Sequence, residues 1–66
     1  MQITVNGSTR FCDAPLAVAD LLRNMALEGK KVAVERNGEI VPRGVHASTL
    51  LAEGDRLEIV VAVGGG

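Results

Sequence analysis

Three glycines, Gly64, Gly65 and Gly66, stand directly behind the apolar run Val60-Val61-Ala62-Val63. Glycine adds nothing to a core and is the residue most costly to order, so a frayed end is the bland account of them. Fraying gives no reason for three in a row after so apolar a segment. The alternative is an arm that presents a terminal carboxylate. Without Cβ atoms it passes a narrow channel, and at ~3.3–3.6 Å per residue three glycines reach ~10 Å beyond a folded body. A glycyl carboxyl is also unhindered, and its activated ester has no stereocentre to epimerise. Both properties suit a carboxylate that is activated and transferred repeatedly.

Other reactive side chains are few. Cys12 is the single cysteine; it has no partner for an internal disulfide and no basic neighbour in sequence to lower its pKa, so it reads as a small core hydrophobe rather than a nucleophile. His46 has no Ser, Cys or acidic companion at catalytic spacing and reads as an ordinary loop histidine. One Cys and one His do not make a structural zinc site. Glu53 and Asp55 flank Gly54, which is turn chemistry rather than a metal site. Pro42-Arg43 reads as an edge-strand stop followed by a solvated arginine, or as a contact to a partner.

The chain of 66 residues allows one small domain, which buries only ~60% of its unfolded surface. A pocket enclosing both a substrate and its catalytic groups does not fit that size. With 47% hydrophobic residues the body is expected to fold rather than remain disordered. Seven Lys/Arg against eight Asp/Glu leave a net charge of −1, which is no footprint for nucleic acid. One Phe and no Tyr or Trp leave no base-stacking platform either. No leader and no membrane-length apolar run is present. These features lead to the expectation of a soluble, cytoplasmic domain with neither nucleic acid nor membrane as partner, and with no metal or bound cofactor.

The elements that must position the arm follow from periodicity. Met1–Val5 alternates, with Met1, Ile3 and Val5 on one side. Asn6-Gly7 is a strong hairpin signal, since both residues tolerate φ > 0, and Ser8–Asp13 is the return strand. A two-residue loop pairs Ile3 with Arg10 and turns Cys12 inward and Phe11 outward; a three-residue bulged loop reverses this. The two-residue loop is the preferred reading. Beyond Ala14-Pro15, Val18, Leu21, Leu22 and Met25 form the stripe of an amphipathic helix. Asp20 suits its first turn, Ala17 is a poor N-cap, and Gly29 is the expected stop. Lys31–Arg36 and Glu39–Val41 flank a second Asn-Gly turn at Asn37-Gly38, and Gly44–Leu51 is irregular. After the Glu53–Asp55 turn, Arg56–Val63 is the last strand, with Leu57, Ile59, Val61 and Val63 on one face. A strand apolar on both faces is usually central. Centring it places it beside the first strand, in parallel, with the helix on one face. The expected fold is α+β, a β-grasp (ubiquitin-like) mixed sheet of four to five strands. Its domain is residues 1–63, and residues 64–66 form a flexible glycine tail.

In that order the pieces resemble the ThiS family, the sulfur carriers of thiamin biosynthesis. They are Val5-Asn6-Gly7, Val18-Ala19-Asp20-Leu21-Leu22, the run from Val32 to Arg43 (VAVERNGEIVPR), Gly54-Asp55-Arg56-Leu57-Glu58-Ile59-Val60, and Val63-Gly64-Gly65-Gly66. The resemblance spans essentially the whole chain. The departures are Ala17, where the family often has Thr, and the third terminal glycine, a common variant. The resemblance implies a protein co-substrate rather than an enzyme. An E1-like adenylyltransferase would activate the Gly66 carboxylate with ATP, with Gly65 and Gly64 as the threading arm. A sulfur donor system, a cysteine desulfurase, would supply the sulfur that leaves Gly66 as a thiocarboxylate, and thiazole synthase would take it. ATP would be consumed by the partner. Val41, Val60 and Ala62, with Val63 beside them, are expected to form a docking patch away from the helix-covered face.

Rival readings share parts of this pattern. The small subunit of molybdopterin synthase has the same terminal chemistry, but is typically longer and carries an aromatic and prolines before its Gly-Gly. A carrier for another sulfur-containing metabolite and a protein-conjugating modifier also fit the tail. A β-grasp binding module of RNA-handling or GTP-binding proteins fits neither the neutral charge nor the glycine end.

Overall fold

The computed structural model describes residues 1–62; Val63 and the arm Gly64, Gly65 and Gly66 lie outside the described residues. Strand β1 (Gln2–Val5) turns into β2 (Ser8–Phe11), followed by helix α1 (Val18–Asn24). Strands β3 (Val32–Arg36) and β4 (Glu39–Ile40), a 3-10 turn at Arg43–Val45, and β5 (Arg56–Val61) complete the order. The five strands make one sheet in the order β2-β1-β5-β3-β4. As the periodicity predicts, β5 is central and runs parallel to β1, through Thr4↔Arg56 and Val5↔Leu57. On its other side it is antiparallel to β3, from Arg36↔Leu57 to Val32↔Val61.

Both hairpins are set by their turn residues. Asn6 and Gly7 have φ of 50° and 82°, and Asn37 and Gly38 have 51° and 86°. Two consecutive left-handed residues make the two-residue turn whose twist matches paired strands. The first hairpin therefore takes the Ile3↔Arg10 register. Phe11 points outward, 80% exposed, while Cys12 packs half-buried against the core.

Helix α1 shows why Ala17 is tolerated as its cap. Ala17 has no side-chain oxygen to offer, and the first N–H groups of a helix have no partner within it. The loop after the 3-10 turn supplies those partners: Val18 N–H donates to Thr49 O at 3.0 Å and Ala19 N–H to His46 O at 2.9 Å. Asp20 folds back to accept the Ala17 N–H at 3.0 Å. The irregular segment between β4 and β5 is thus a capping device supplied from far along the chain. His46 is part of it and is buried, its ring Nε2 donating to Val41 O at 3.0 Å.

The helix stops before Gly29. Ala26 takes φ 60°, with Ala26 N–H donating to Arg23 O at 3.0 Å and Leu27 N–H to Leu22 O at 2.8 Å. That pair of bonds is a Schellman motif with alanine where glycine is usual.

The core joins Ile3, Val5, Leu57, Ile59 and Val34 of the sheet to Val18, Leu21 and Leu22 of the helix, with Leu16, Val41 and Leu51 at the rim. The placement of Val41 corrects the expected docking patch: Val41 is 9% exposed. Val41 continues the β3–β4 ladder, its N–H donating to Val34 O at 2.8 Å, and since Ile40 pairs with the exposed Glu35, Val41 shares the helix-covered face with Val34. Val61 also departs from expectation. It shares the face of Leu57 and Ile59 but is 41% exposed.

The Ala26 geometry gives a test. A left-handed alanine costs ~1–2 kcal/mol, while glycine loosens the unfolded chain by ~0.4–1 kcal/mol. Ala26→Gly is therefore expected to stabilise the protein by up to about 1 kcal/mol, raising Tm by several degrees in calorimetry. A Tm that falls would show that the turn is not strained.

Candidate functional site

Strand β5 leads in sequence to the glycines, so the site begins with what holds that strand. On the β3 side its pairing runs as far as the Ala62 N–H, which donates to Lys31 O at 2.9 Å. On the β1 side the neighbouring strand is shorter, and the Asn6 side chain takes its place. Asn6 Oδ1 accepts from Ile59 N–H at 2.7 Å and Nδ2 donates to Ile59 O at 3.1 Å. The Asn6 N–H donates to Leu57 O at 2.9 Å. One amide thus substitutes for a further strand residue, leaving the buried backbone of Ile59 satisfied.

The start of β5 is held in the same manner by the second hairpin. Asn37 N–H donates to Arg56 O at 2.8 Å, and Asn37 Oδ1 accepts from Arg56 N–H at 2.9 Å. Asn37 Nδ2 donates to Asp55 Oδ1 at 3.0 Å. Asp55 is buried and takes two further bonds on Oδ2, from Arg36 Nε at 2.7 Å and Ala52 N–H at 2.8 Å. Burial pushes the Asp55 carboxyl up, but the Ala52, Asn37 and Arg36 hydrogen bonds and the Arg36 charge outweigh it and hold the group below the usual carboxylate range. Glu53 accepts the Gln2 N–H at 3.1 Å. The turn reading of Glu53 and Asp55 holds, with Asp55 also serving as the anchor of β5. Sequence reasoning took Asn6 and Asn37 for turn formers alone; their second role needs the register of a strand some 20 to 50 positions away.

The face of the sheet opposite α1 is open. Val60 is 63% exposed there, and Ala62 is exposed beyond it. Ala33 lies opposite Val60 in the register and is exposed as well. The apolar patch of this face is therefore Val60, Ala62 and Ala33, without Val41. The alternation Val32-Ala33-Val34 was the signal for Ala33, since Val34 is the buried member. Pro42 ends β4 and Arg43, exposed, opens the 3-10 turn. Cys12 and His46 sit apart from this region in structural positions. Among the described residues no group of three or more His, Cys, Asp or Glu is placed to hold a metal, and no helix is long and apolar enough to cross a membrane. What these residues build is a clamped platform with an apolar step on its open face, reaching Ala62, the last described residue.

Comparison with known proteins matches that platform throughout. The ThiS family model matches residues 3–66. A thiazole synthase from Paramagnetospirillum magneticum is 44% identical over 66 residues, covering 100% of this chain and 20% of that one; the chain spans about a fifth of its length. The sulfur carrier protein ThiS of Bacillus subtilis is 45% identical over 49 residues, 74% of each chain. The crystal structure of the thiamine biosynthesis protein ThiS from Geobacter metallireducens superposes with a TM-score of 0.83 at 35% identity, covering 100% of both chains.

Two outcomes test the clamp. Asn6→Gly keeps the left-handed turn but deletes both amide bonds, each worth ~1 kcal/mol. It is expected to cost about 2 kcal/mol in urea unfolding and to speed hydrogen exchange at the Ile59 amide. For Asp55 the folded-state pKa is lowered, so its stabilisation is complete above the unfolded value of about 4 and is lost as pH falls through the lower folded value. The stability advantage of wild type over Asp55→Asn should accordingly be constant from neutral pH down to about 4 and shrink below it. An advantage that persists undiminished at pH 2 would contradict the charged anchor.

Proposed function

This chain belongs to the ThiS family, and on that premise we propose that it is a sulfur carrier of thiamin biosynthesis, a protein co-substrate whose reacting group is the Gly66 carboxylate. The observation that carries this reading is the extent of the family match, which reaches residue 66 and so includes the glycine arm as well as the body.

The chemistry follows from what a carboxylate lacks. It is a poor electrophile, and it contains no sulfur. Attack of a Gly66 carboxylate oxygen on the α-phosphorus of ATP releases pyrophosphate and gives an acyl-adenylate, with an E1-like adenylyltransferase as the catalyst. The persulfide sulfur of the donor system, a cysteine desulfurase, displaces AMP at the carbonyl carbon to give an acyl disulfide, and a thiol then attacks the donor's sulfur, leaving the thiocarboxylate on Gly66 and a disulfide on the donor side. Thiazole synthase takes that sulfur. The occurrence of a similar segment within thiazole synthase of Paramagnetospirillum magneticum supports this acceptor. The chain itself binds no cofactor in this scheme, and ATP is consumed by the partner. A free cysteine, Cys12, suits the reducing cytoplasm, where ATP is available.

Body and arm divide the work. Ordering backbone costs ~1–2 kcal/mol per residue, with glycine at the upper end, so threading three glycines costs about 3–6 kcal/mol. Docking of the body offsets that cost, through the patch of Val60, Ala62 and Ala33, with Val63 next to it. Gly64 and Gly65 thread, and Gly66 reacts.

The division predicts opposite phenotypes. Deleting Gly66 removes no core contact but leaves the carboxylate ~3.3–3.6 Å short, and a misplacement of ~1 Å can cost ~100-fold in rate. Tm and affinity for the adenylating enzyme are expected to stay near wild type while ATP–pyrophosphate exchange falls at least 100-fold. Val60→Asp should do the reverse, weakening the complex with the fold intact. Protein isolated from cells should contain a fraction heavier by one oxygen-to-sulfur exchange at Gly66. Wild-type exchange from the deletion variant would end the carrier reading.

A further inference from the structure

Asn6-Gly7 and Asn37-Gly38 make turns in which both residues take positive φ, and that geometry selects the pair. The same dipeptide is chemically labile, and asparagine is among the thermolabile residues. The backbone nitrogen of the glycine attacks Cγ of the asparagine before it, and no Cβ shields that nitrogen. The new C–N bond closes a succinimide, and the side-chain nitrogen leaves as ammonia. Water then opens the ring. Cleavage at the side-chain carbonyl gives aspartate; cleavage at the main-chain carbonyl gives isoaspartate, whose main chain runs through the β-carbon. The net change is an amide nitrogen exchanged for a water oxygen, with no oxidation or reduction.

Both dipeptides are exposed, so water reaches them. What the structure fixes is the amide. Asn6 is held by the Ile59 backbone, Oδ1 accepting at 2.7 Å and Nδ2 donating at 3.1 Å. Asn37 is held between the Arg56 N–H at 2.9 Å and Asp55 Oδ1 at 3.0 Å. Attack needs Cγ turned toward the following nitrogen, whereas these amides are turned toward β5 and its leading turn. Both bonds of a pair must break before the ring can close.

We propose that Asn6 and Asn37 are latent deamidation sites, gated by the clamp on β5 and unable to restore that clamp once modified. The bonds that fasten the central strand are the bonds that keep the two asparagines unreactive. After deamidation, Asn6 presents a carboxylate oxygen to the Ile59 carbonyl in place of a donor, and Asn37 presents one to the Asp55 carboxylate. Both contacts are repulsive. Isoaspartate lengthens the main chain inside a two-residue turn. Each completed reaction therefore removes a fastening and favours the next opening.

The test follows the full chain at mildly alkaline pH, folded and in urea, with each asparagine peptide quantified by mass spectrometry for amide-to-acid exchange. Folding should slow both sites at least about 100-fold. The slowing should match, within about tenfold, the hydrogen-exchange protection of the amide that each Oδ1 accepts; these are Ile59 for Asn6 and Arg56 for Asn37. Asp55→Ala removes the acceptor of Asn37 Nδ2 and should speed Asn37 on the order of tenfold more than Asn6. Asn6→Asp and Asn37→Asp reproduce one product, and each should lower Tm by several degrees. The proposal is overturned by folded-state deamidation as fast as in urea, or by slowing that departs from the reporter amides in either direction. Equal acceleration of both sites in a folded Asp55→Ala protein also overturns it, as does a wild-type Tm in either aspartate variant. Should Asp55→Ala not fold, the wild-type comparison with hydrogen exchange decides alone.

Discussion

A central strand must have its backbone satisfied on both sides along its whole length. β5 meets that constraint with neighbours of unequal length. β3 accompanies it through Val61, whereas pairing with β1 covers only Arg56 and Leu57. The Asn6 amide supplies the missing donor and acceptor at Ile59, and Asn37 with Asp55 does the same at the start of the strand. Each Asn-Gly turn therefore closes its own hairpin and fastens that hairpin to β5. Core burial of Leu57 and Ile59 depends on this fastening, because a one-residue slip would turn both outward.

The features legible in sequence were those with short-range causes. Two Asn-Gly turns, the Val18-Leu21-Leu22 stripe and the apolar character of β5 led directly to the order of elements and to the parallel central pairing. What sequence did not reveal was settled by partners far along the chain. Ala17 looks like a weak helix start until the carbonyls of His46 and Thr49 are seen capping it. Val41 continues the apolar run of its strand, and its burial follows from the β3–β4 register, which sets it against Val34 on the helix-covered face. Ala26 gives no stop signal in its own right; the Schellman bonds impose the left-handed conformation on it. At the site, the exposure of Val60 and Ala62 was readable from alternation, and Ala33 became part of the patch only once the β3–β5 register was known. Val63 and the three glycines lie outside the described residues, so their reading rests on residue chemistry and family membership.

The two singular side chains of the sequence illustrate a common economy of small domains. Cys12 fills the edge of the core. His46 bonds Val41 O with its ring and receives the Ala19 N–H on its carbonyl, so a single residue ties the 3-10 segment to both the core and the helix. In a domain of this size few interactions are redundant, and a reactive-looking side chain is readily taken up by structure.

A carrier has one further requirement, which is that it must leave. A partner that holds it by a broad apolar face would bind tightly and release slowly, since differences in affinity among related complexes reside mostly in dissociation. The open face of this sheet offers instead a small apolar step, Val60 with Ala33 and Ala62, bordered by Glu35, Glu58 and Arg56. Such a surface belongs with transient interfaces, below about 1,200 Å² in total, where charge governs encounter and apolar area governs residence. On the carrier reading, the cost of threading the glycines would act in the same direction, weakening the complex without touching the contacts that confer recognition. A fold whose stability comes from a clamped central strand and whose apolar contact surface is kept small is, on the carrier reading, suited to visiting several partners in turn.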